Sequence, residues 1–235
     1  MISFVNKTAT VLPALSLLLF AGGMLLAHWE LLPPTTGMAL YVLGGLLGLL
    51  SLGAAVGVIV VSRAWPLALF ALLGVLPFVA VAAGAGALFR YPRINDVSTD
   101  LQHPPAFAHA PTLPANAGRS FDFPAGNAPL IAAAYPDVQP VEVPFDPDAA
   151  YARALRLARE TPNWTVTHED AAAHTFEAVA VTKLFRWRDD VVVRITGAGE
   201  HASRIDMRSK SRDGKSDFGA NAKRIQGFLD HLRLP

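Results

Sequence analysis

The chain has 235 residues, 52% of them hydrophobic, and sets 20 Lys plus Arg against 19 Asp plus Glu for a formal charge of +1. That balance offers no long-range attraction for nucleic acid. The lack of cysteine excludes disulfides, zinc–thiolate centres, iron–sulfur clusters and thiol nucleophiles. The even total conceals a divided chain, because only Lys7, Glu30 and Arg63 fall before Arg90, leaving eighteen charges of each sign from Arg90 onward.

Residues 1–89 read as a membrane block. Polar punctuation cuts it into apolar stretches 8–27, 37–61 and 64–89, each reaching the roughly 20 residues that a helix needs to cross the hydrocarbon core. Lys7 in front of an apolar run resembles a signal peptide. The run is long for one, however, and a second follows at once, so three transmembrane helices are expected. Lys7 and Arg63 share a side, and the loop between the first two helices has no Lys or Arg. This puts the C-terminal part outside the cytoplasm, against the counter-signal of Arg90 and Arg93. A multi-pass protein of the bacterial inner membrane with its C-terminal domain on the periplasmic side is the expectation. Gly44 with Gly48, and Gly53 with Gly57, have the four-residue spacing of close helix packing, and Pro77 predicts a kink. The spans lack an ionisable residue at mid-depth, which argues against transport.

Residues 90–145 follow as a strap, with eleven of the 18 prolines between Arg90 and Pro147. That density disfavours helix and interior strand. A third region, 146–235, reads as a soluble α+β domain. Asp146 is an N-cap, Pro147 fits the first helical position, and Tyr151, Leu155 and Ala158 share a face until Pro162 stops the run. Four strands are predicted at 164–168, 175–183, 186–196 and 204–211. In the last, Ile205, Met207, Ser209 and Ser211 point one way, and Arg204, Asp206, Arg208, Lys210 and Arg212 the other. A final helix carries Phe218, Ala222, Ile225, Leu229 and Leu232 as an apolar stripe. The expected fold class is therefore α+β: three N-terminal transmembrane helices, then a small helix, a four-stranded antiparallel sheet and a helix.

The string TKLFRWRDDVVVRI from Thr182, together with SRIDMRSKSRDGKSDFGANAKRIQGFLDHL from Ser203, resembles the domain of unknown function 1499 family over about residues 92–232. The segment YPRINDVSTDLQHPP from Tyr91 is similar to that family's entry motif, which often carries a cysteine that this chain lacks. The resemblance implies an envelope-associated protein and brings no activity with it.

Several motifs approach known chemistry and miss it. Gly214-Lys215-Ser216 lacks the first glycine of a phosphate-binding loop. His168-Glu169 with His174 has the wrong spacing for a zinc protease, and Gly214, Ser216 and Gly219 miss a nucleophile elbow by one residue. Asp189 and Asp190 are adjacent strand residues, so they face opposite ways and do not act as a pair. Asp190 is placed to meet a cross-strand arginine. No catalytic residue, metal site or cofactor is assigned. The candidate that remains is an anion site at Arg208, Lys210, Arg212, Lys215 and Ser216, where cations converge on a glycine turn before a helix start. The competing structural reading is a sheet face on which arginines and aspartates pair, with Asp217 capping the helix. The expected partners are the bilayer, anionic lipid head groups or another membrane protein. The expected role is non-enzymatic binding or scaffolding; the alternative is an enzyme acting on an envelope lipid or glycan.

Overall fold

The computed structural model describes residues 1–233, the side chains of 87 and 88 excepted. By contacts the chain forms two compact units. The first comprises Met1–Arg90 together with Lys183–Arg186, and the second comprises the rest.

Helices α1 (Ile2–His28) and α2 (Pro34–Val61) are each long and apolar enough to cross a membrane. The third candidate span, Trp65–Ala85, also is, but it is built from two helices, α3 (Trp65–Leu73) and α4 (Leu76–Ala85). The expected kink takes the form of this break. Pro77 sits in the first turn of α4, where its missing N–H leaves no bond unmade. A short turn, α5 (Ala87–Arg90), ends the unit.

Small residues set how closely these helices approach. A Cβ on Gly44 would lie 2.5 Å from the Phe20 nitrogen, and one on Gly48 would lie 2.6 Å from the Gly74 oxygen. The buried Ser16 hydroxyl sits between the Gly44 and Gly74 carbonyls at 2.8 and 3.0 Å, a polar tie between otherwise apolar helices. Gly53 and Gly57, with the same spacing as Gly44 and Gly48, have no such contacts. Lys183–Arg186 groups with this unit: Phe185 is buried and meets Tyr41 edge-on at 5.3 Å, and Arg186 Nε lies 3.3 Å from a Glu30 oxygen.

The second unit opens with β1 (Asp96–Ser98). Two 3₁₀ turns, Ala110–Thr112 and Pro114–Asn116, lead to α6 (Asn127–Ala134) and β2 (Val141–Val143). Next comes α7 (Pro147–Glu160), begun as expected by the Asp146 carboxylate, which accepts from Ala149 N at 2.8 Å. Four antiparallel strands follow: β3 (Trp164–Asp170), β4 (Thr175–Val181), β5 (Arg188–Gly197) and β6 (Ser203–Ser211). Helix α8 (Ala220–Arg233) closes the described chain.

The sheet has six strands, two more than expected. β1 and β2 both pair antiparallel with the outer edge of β6, at residues 208–210 and 203–205 respectively. Each is three residues long and drawn from the proline-rich segment. Proline rules out a long interior strand but tolerates a short edge pairing between its own positions. Phe218 also departs from the expected stripe. It precedes α8 at a positive φ of 53° and is exposed, while Phe228 takes the buried place.

The core fills one face of the sheet. Phe176, Ala178, Val191, Val193, Ile195, Ile205 and Met207 pack under Ala154, Leu155 and Ala158 of α7 and Ile225 and Leu229 of α8. The segment before Asp146 contributes Ile94, Val97, Ile131, Val138, Val141 and Val143 to the same cluster. Tyr91 fills the space over Gly219, where a Cβ would come within 2.8 Å of its ring. Tyr91 also stacks on Tyr135, whose buried hydroxyl is pushed up to about 12 mainly by desolvation.

Two expectations follow. Gly48→Leu should lower the unfolding temperature of the detergent-solubilised chain, corresponding to about 1–3 kcal/mol of overpacking, while Gly53→Leu leaves it unchanged. A fragment of residues 91–233 should show a single cooperative urea transition, whereas 146–233, stripped of β1, β2 and their core side chains, should show none. A cooperative transition in the shorter fragment would make the strap dispensable.

Candidate functional site

The face of the sheet opposite the helices is the charged one, and it is covered. Residues 99–123 lie across it, with Phe107, Ala110 and Val192 forming a small buried cluster against which Phe121 packs. The cover is fastened at Glu177, a buried carboxylate on β4 that accepts the backbone N–H groups of Ala108, His109 and Ala110. Because strand side chains alternate, Asp190, Arg194, Arg204, Asp206, Arg208, Lys210 and Arg212 are all directed to this covered side. Their charges have to be met within the protein.

They are. Arg208, with its side chain 3% exposed, makes a bidentate pair with fully buried Asp96 at 2.9 and 2.8 Å. Its guanidinium lies over the rings of Phe107 and Phe123 and donates to the Phe121 carbonyl. Lys210 Nζ reaches the same Asp96 at 3.1 Å. Arg212 makes a second bidentate pair, with Asp190 at 3.0 and 2.7 Å, and Asn116 donates to Asp190 from the strap. Asp206 holds Arg204 and Arg194 and receives a hydrogen bond from Thr99. The bond to Asp206 holds the Arg204 guanidinium above its usual range. Asp100 also faces these two arginines. Burial would raise its carboxyl, but the His103 and Gln102 amides and the two guanidiniums outweigh that and hold it below the usual carboxylate range.

The five candidate anion-site residues therefore separate. Arg208, Lys210 and Arg212 are inside the domain and already carry carboxylates; Lys215 is exposed and Ser216 partly so, on the loop before α8. The amides at that helix start also have an anion of the chain's own: Asp217 accepts from Gly219 N and Asn221 N, both at 2.9 Å. Burial nonetheless raises the Asp217 carboxyl. A small polar hollow of about 160 Å³ lies between strap and sheet, where Lys210, Arg212 and Arg119 are offset by Asp96, Asp190 and Asp213.

The other motifs are spread apart. His168 stacks on His109 at 5.2 Å, and His174 Nε2 lies 2.8 Å from Asp148. No group of three metal-ligating side chains occurs among the described residues. Asp189 and Asp190 do face opposite ways. Asp189 pairs with Arg224 of α8 beneath the helices, and Asp190 with Arg212 under the strap. Asp96 and Glu177 are the residues that sequence reasoning missed. Their only local signal was a charged residue in a segment with strand-like or entry-motif character.

Fold and site define an α+β protein: a six-stranded sheet with helices on one face and a charge-compensated strap on the other, joined to helices long enough to cross a membrane. The chain belongs to the family described as "Protein of unknown function (DUF1499)", whose model matches residues 96–232. The matched region begins at Asp96, so it includes the strap as well as the sheet. No curated protein and no solved structure matches the chain.

Substitution should separate the two kinds of cation. Arg212→Ala leaves buried Asp190 without its guanidinium and should destabilise the fold by about 3–5 kcal/mol. Lys215→Ala should change it by no more than about 0.5 kcal/mol. Denaturant midpoints of the two variants measure this directly, and equal midpoints would remove the structural role of the Arg212 pair.

Proposed function

We propose that this is a membrane-anchored, non-enzymatic binding or scaffold protein of the bacterial inner membrane, with its C-terminal domain on the periplasmic side, in contact with anionic lipid head groups or a membrane partner. The observation that carries this reading is how the buried carboxylates are used. Asp96, Asp189, Asp190, Asp206 and Glu177 are all engaged by arginine, lysine or backbone N–H groups. Acid–base chemistry needs a carboxyl free to exchange a proton with a substrate, whereas these hold the fold.

The cations left for an external anion are the exposed ones. Asn95 donates to the Gly214 carbonyl at 2.6 Å, which brings the entry segment carrying exposed Arg93 beside the loop carrying exposed Lys215. Each such cation contributes about 1 kcal/mol of attraction to an anionic surface. Lys7 and Arg63 on one side of the spans support the orientation. One observation favours the alternative of an enzyme acting on an envelope lipid or glycan: Asp190 lines a polar hollow.

Alkaline phosphatase fused after Pro235 should be active and fused after Arg63 inactive; an inactive C-terminal fusion made at normal abundance reverses the orientation. In the protein purified in mild detergent, mass spectrometry should find anionic phospholipid enriched over its share of the source membrane. Arg93→Gln with Lys215→Gln should cut that enrichment several-fold. An unchanged lipid profile would sink the head-group contact.

A further inference from the structure

The helix-covered side of the domain contains a feature that the charge network does not use. A groove of about 490 Å³ runs between the last turn of α7 and the outer side of α8, a size typical of small-molecule sites. Its floor is apolar and aromatic. Trp164 stacks on Phe228 there with centroids 5.1 Å apart and an interplanar angle of 11°, and Leu157 stands on the α7 side. On the α8 side the wall is bare, because residue 227 is glycine and an added Cβ would meet nothing within 4 Å. Glycine inside a helix is unfavourable relative to alanine. Gly227 has no positive φ and no close neighbour that would require it. What its missing side chain does is leave the groove open.

The rim is cationic. Lys223 borders the groove, exposed and with no carboxylate partner among the described residues. Arg156, likewise exposed and without a carboxylate partner there, borders an adjoining hollow of about 140 Å³ that shares Leu157, Glu160 and His231 with the groove. Among the described residues Glu160 is the one acid lining either space, and Arg224 is already met by Asp189, so positive charge is in excess. An apolar floor beside a cationic rim is complementary to an apolar tail beside an anionic head.

We propose that this groove binds a single-chain anionic amphiphile, an acyl chain carrying a phosphate head, with the chain on Trp164 and Phe228 and the phosphate at Lys223, the unpaired cation that borders the groove itself. Each methylene taken from water onto this floor adds to the affinity, so longer chains bind more tightly. Lys223 then selects the head. The proposal is independent of the head-group contact at Arg93 and Lys215.

The test uses the full chain in phosphatidylcholine nanodiscs and a lysophosphatidic acid with a photoactivatable diazirine in its acyl chain. Adducts mapped by mass spectrometry are expected on peptides spanning 157–164 and 223–231. Gly227→Phe, which fills the groove from its open side, should reduce them at least fivefold. Lys223→Gln should do the same without changing the unfolding temperature, and this variant carries the test if Gly227→Phe disturbs the fold. A zwitterionic lysophosphatidylcholine probe should label the groove several-fold less, and Arg93→Gln with Lys215→Gln should leave groove labelling intact. Adducts confined to residues 1–90, or groove adducts indifferent to Gly227→Phe, overturn the proposal. So do equal labelling by the zwitterionic probe and cross-links joining 223–231 to a second copy of the chain.

Discussion

A charge taken out of water costs several kcal/mol unless an opposite charge and hydrogen bonds meet it, and β6 takes several of its charges under cover. Alternation along that strand sends Met207 and Ile205 into the apolar core and Asp206, Arg208 and Lys210 to the other side. Covering that side with Phe107 and Phe121 excludes water, which is possible only because Asp96 and Asp190 arrive with the right sign and geometry. The path of the strap follows from this. Asp96 has to sit on the edge of β6, Asn116 beside Asp190, and the amides of residues 108–110 on Glu177.

Buried ion pairs are weak evidence for stability, since well-packed apolar groups of the same volume often do as well. Their value here is positional. β1 is three residues long, too short for its own side-chain pattern to choose among registers. A slide of two residues would keep every side chain on its face but carry Asp96 away from the Arg208 fork, leaving both charges buried and unmatched. The bidentate geometry thus discriminates between registers that hydrophobic burial alone would treat alike.

How much of this could be read from the chain depended on how local the interaction was. The Asp146 cap, Pro147 start and Pro162 stop of α7 lie within one segment, and the structure has them where the pattern put them. The four long strands and the alternation on β6 were legible for the same reason. The strap was not, because proline content says what a backbone avoids and nothing about which edge it will join. The cations of the candidate anion site were visible as a cluster. The carboxylate that satisfies both Arg208 and Lys210 was invisible, since Asp96 lies more than a hundred residues earlier and was read as part of a linker. Asp217 was close by, and it takes the amides that the anion site would have used.

The separation between Asp96 and Arg208 also has a meaning in time. They are 112 positions apart, and chains are synthesised N-terminus first at about 5–20 residues per second. Asp96 therefore emerges on the order of ten seconds before the guanidinium that neutralises it, and β1 emerges as long before the β6 edge it joins. Over that interval the prolines of the segment disfavour helix and interior strand. The sheet and α7 depend on closer neighbours in sequence, so nascent order can begin there, and long-range closure comes last because its loop entropy is largest. Proline in the strap then acts before folding is complete, keeping an unpartnered edge segment from pairing wrongly while it waits.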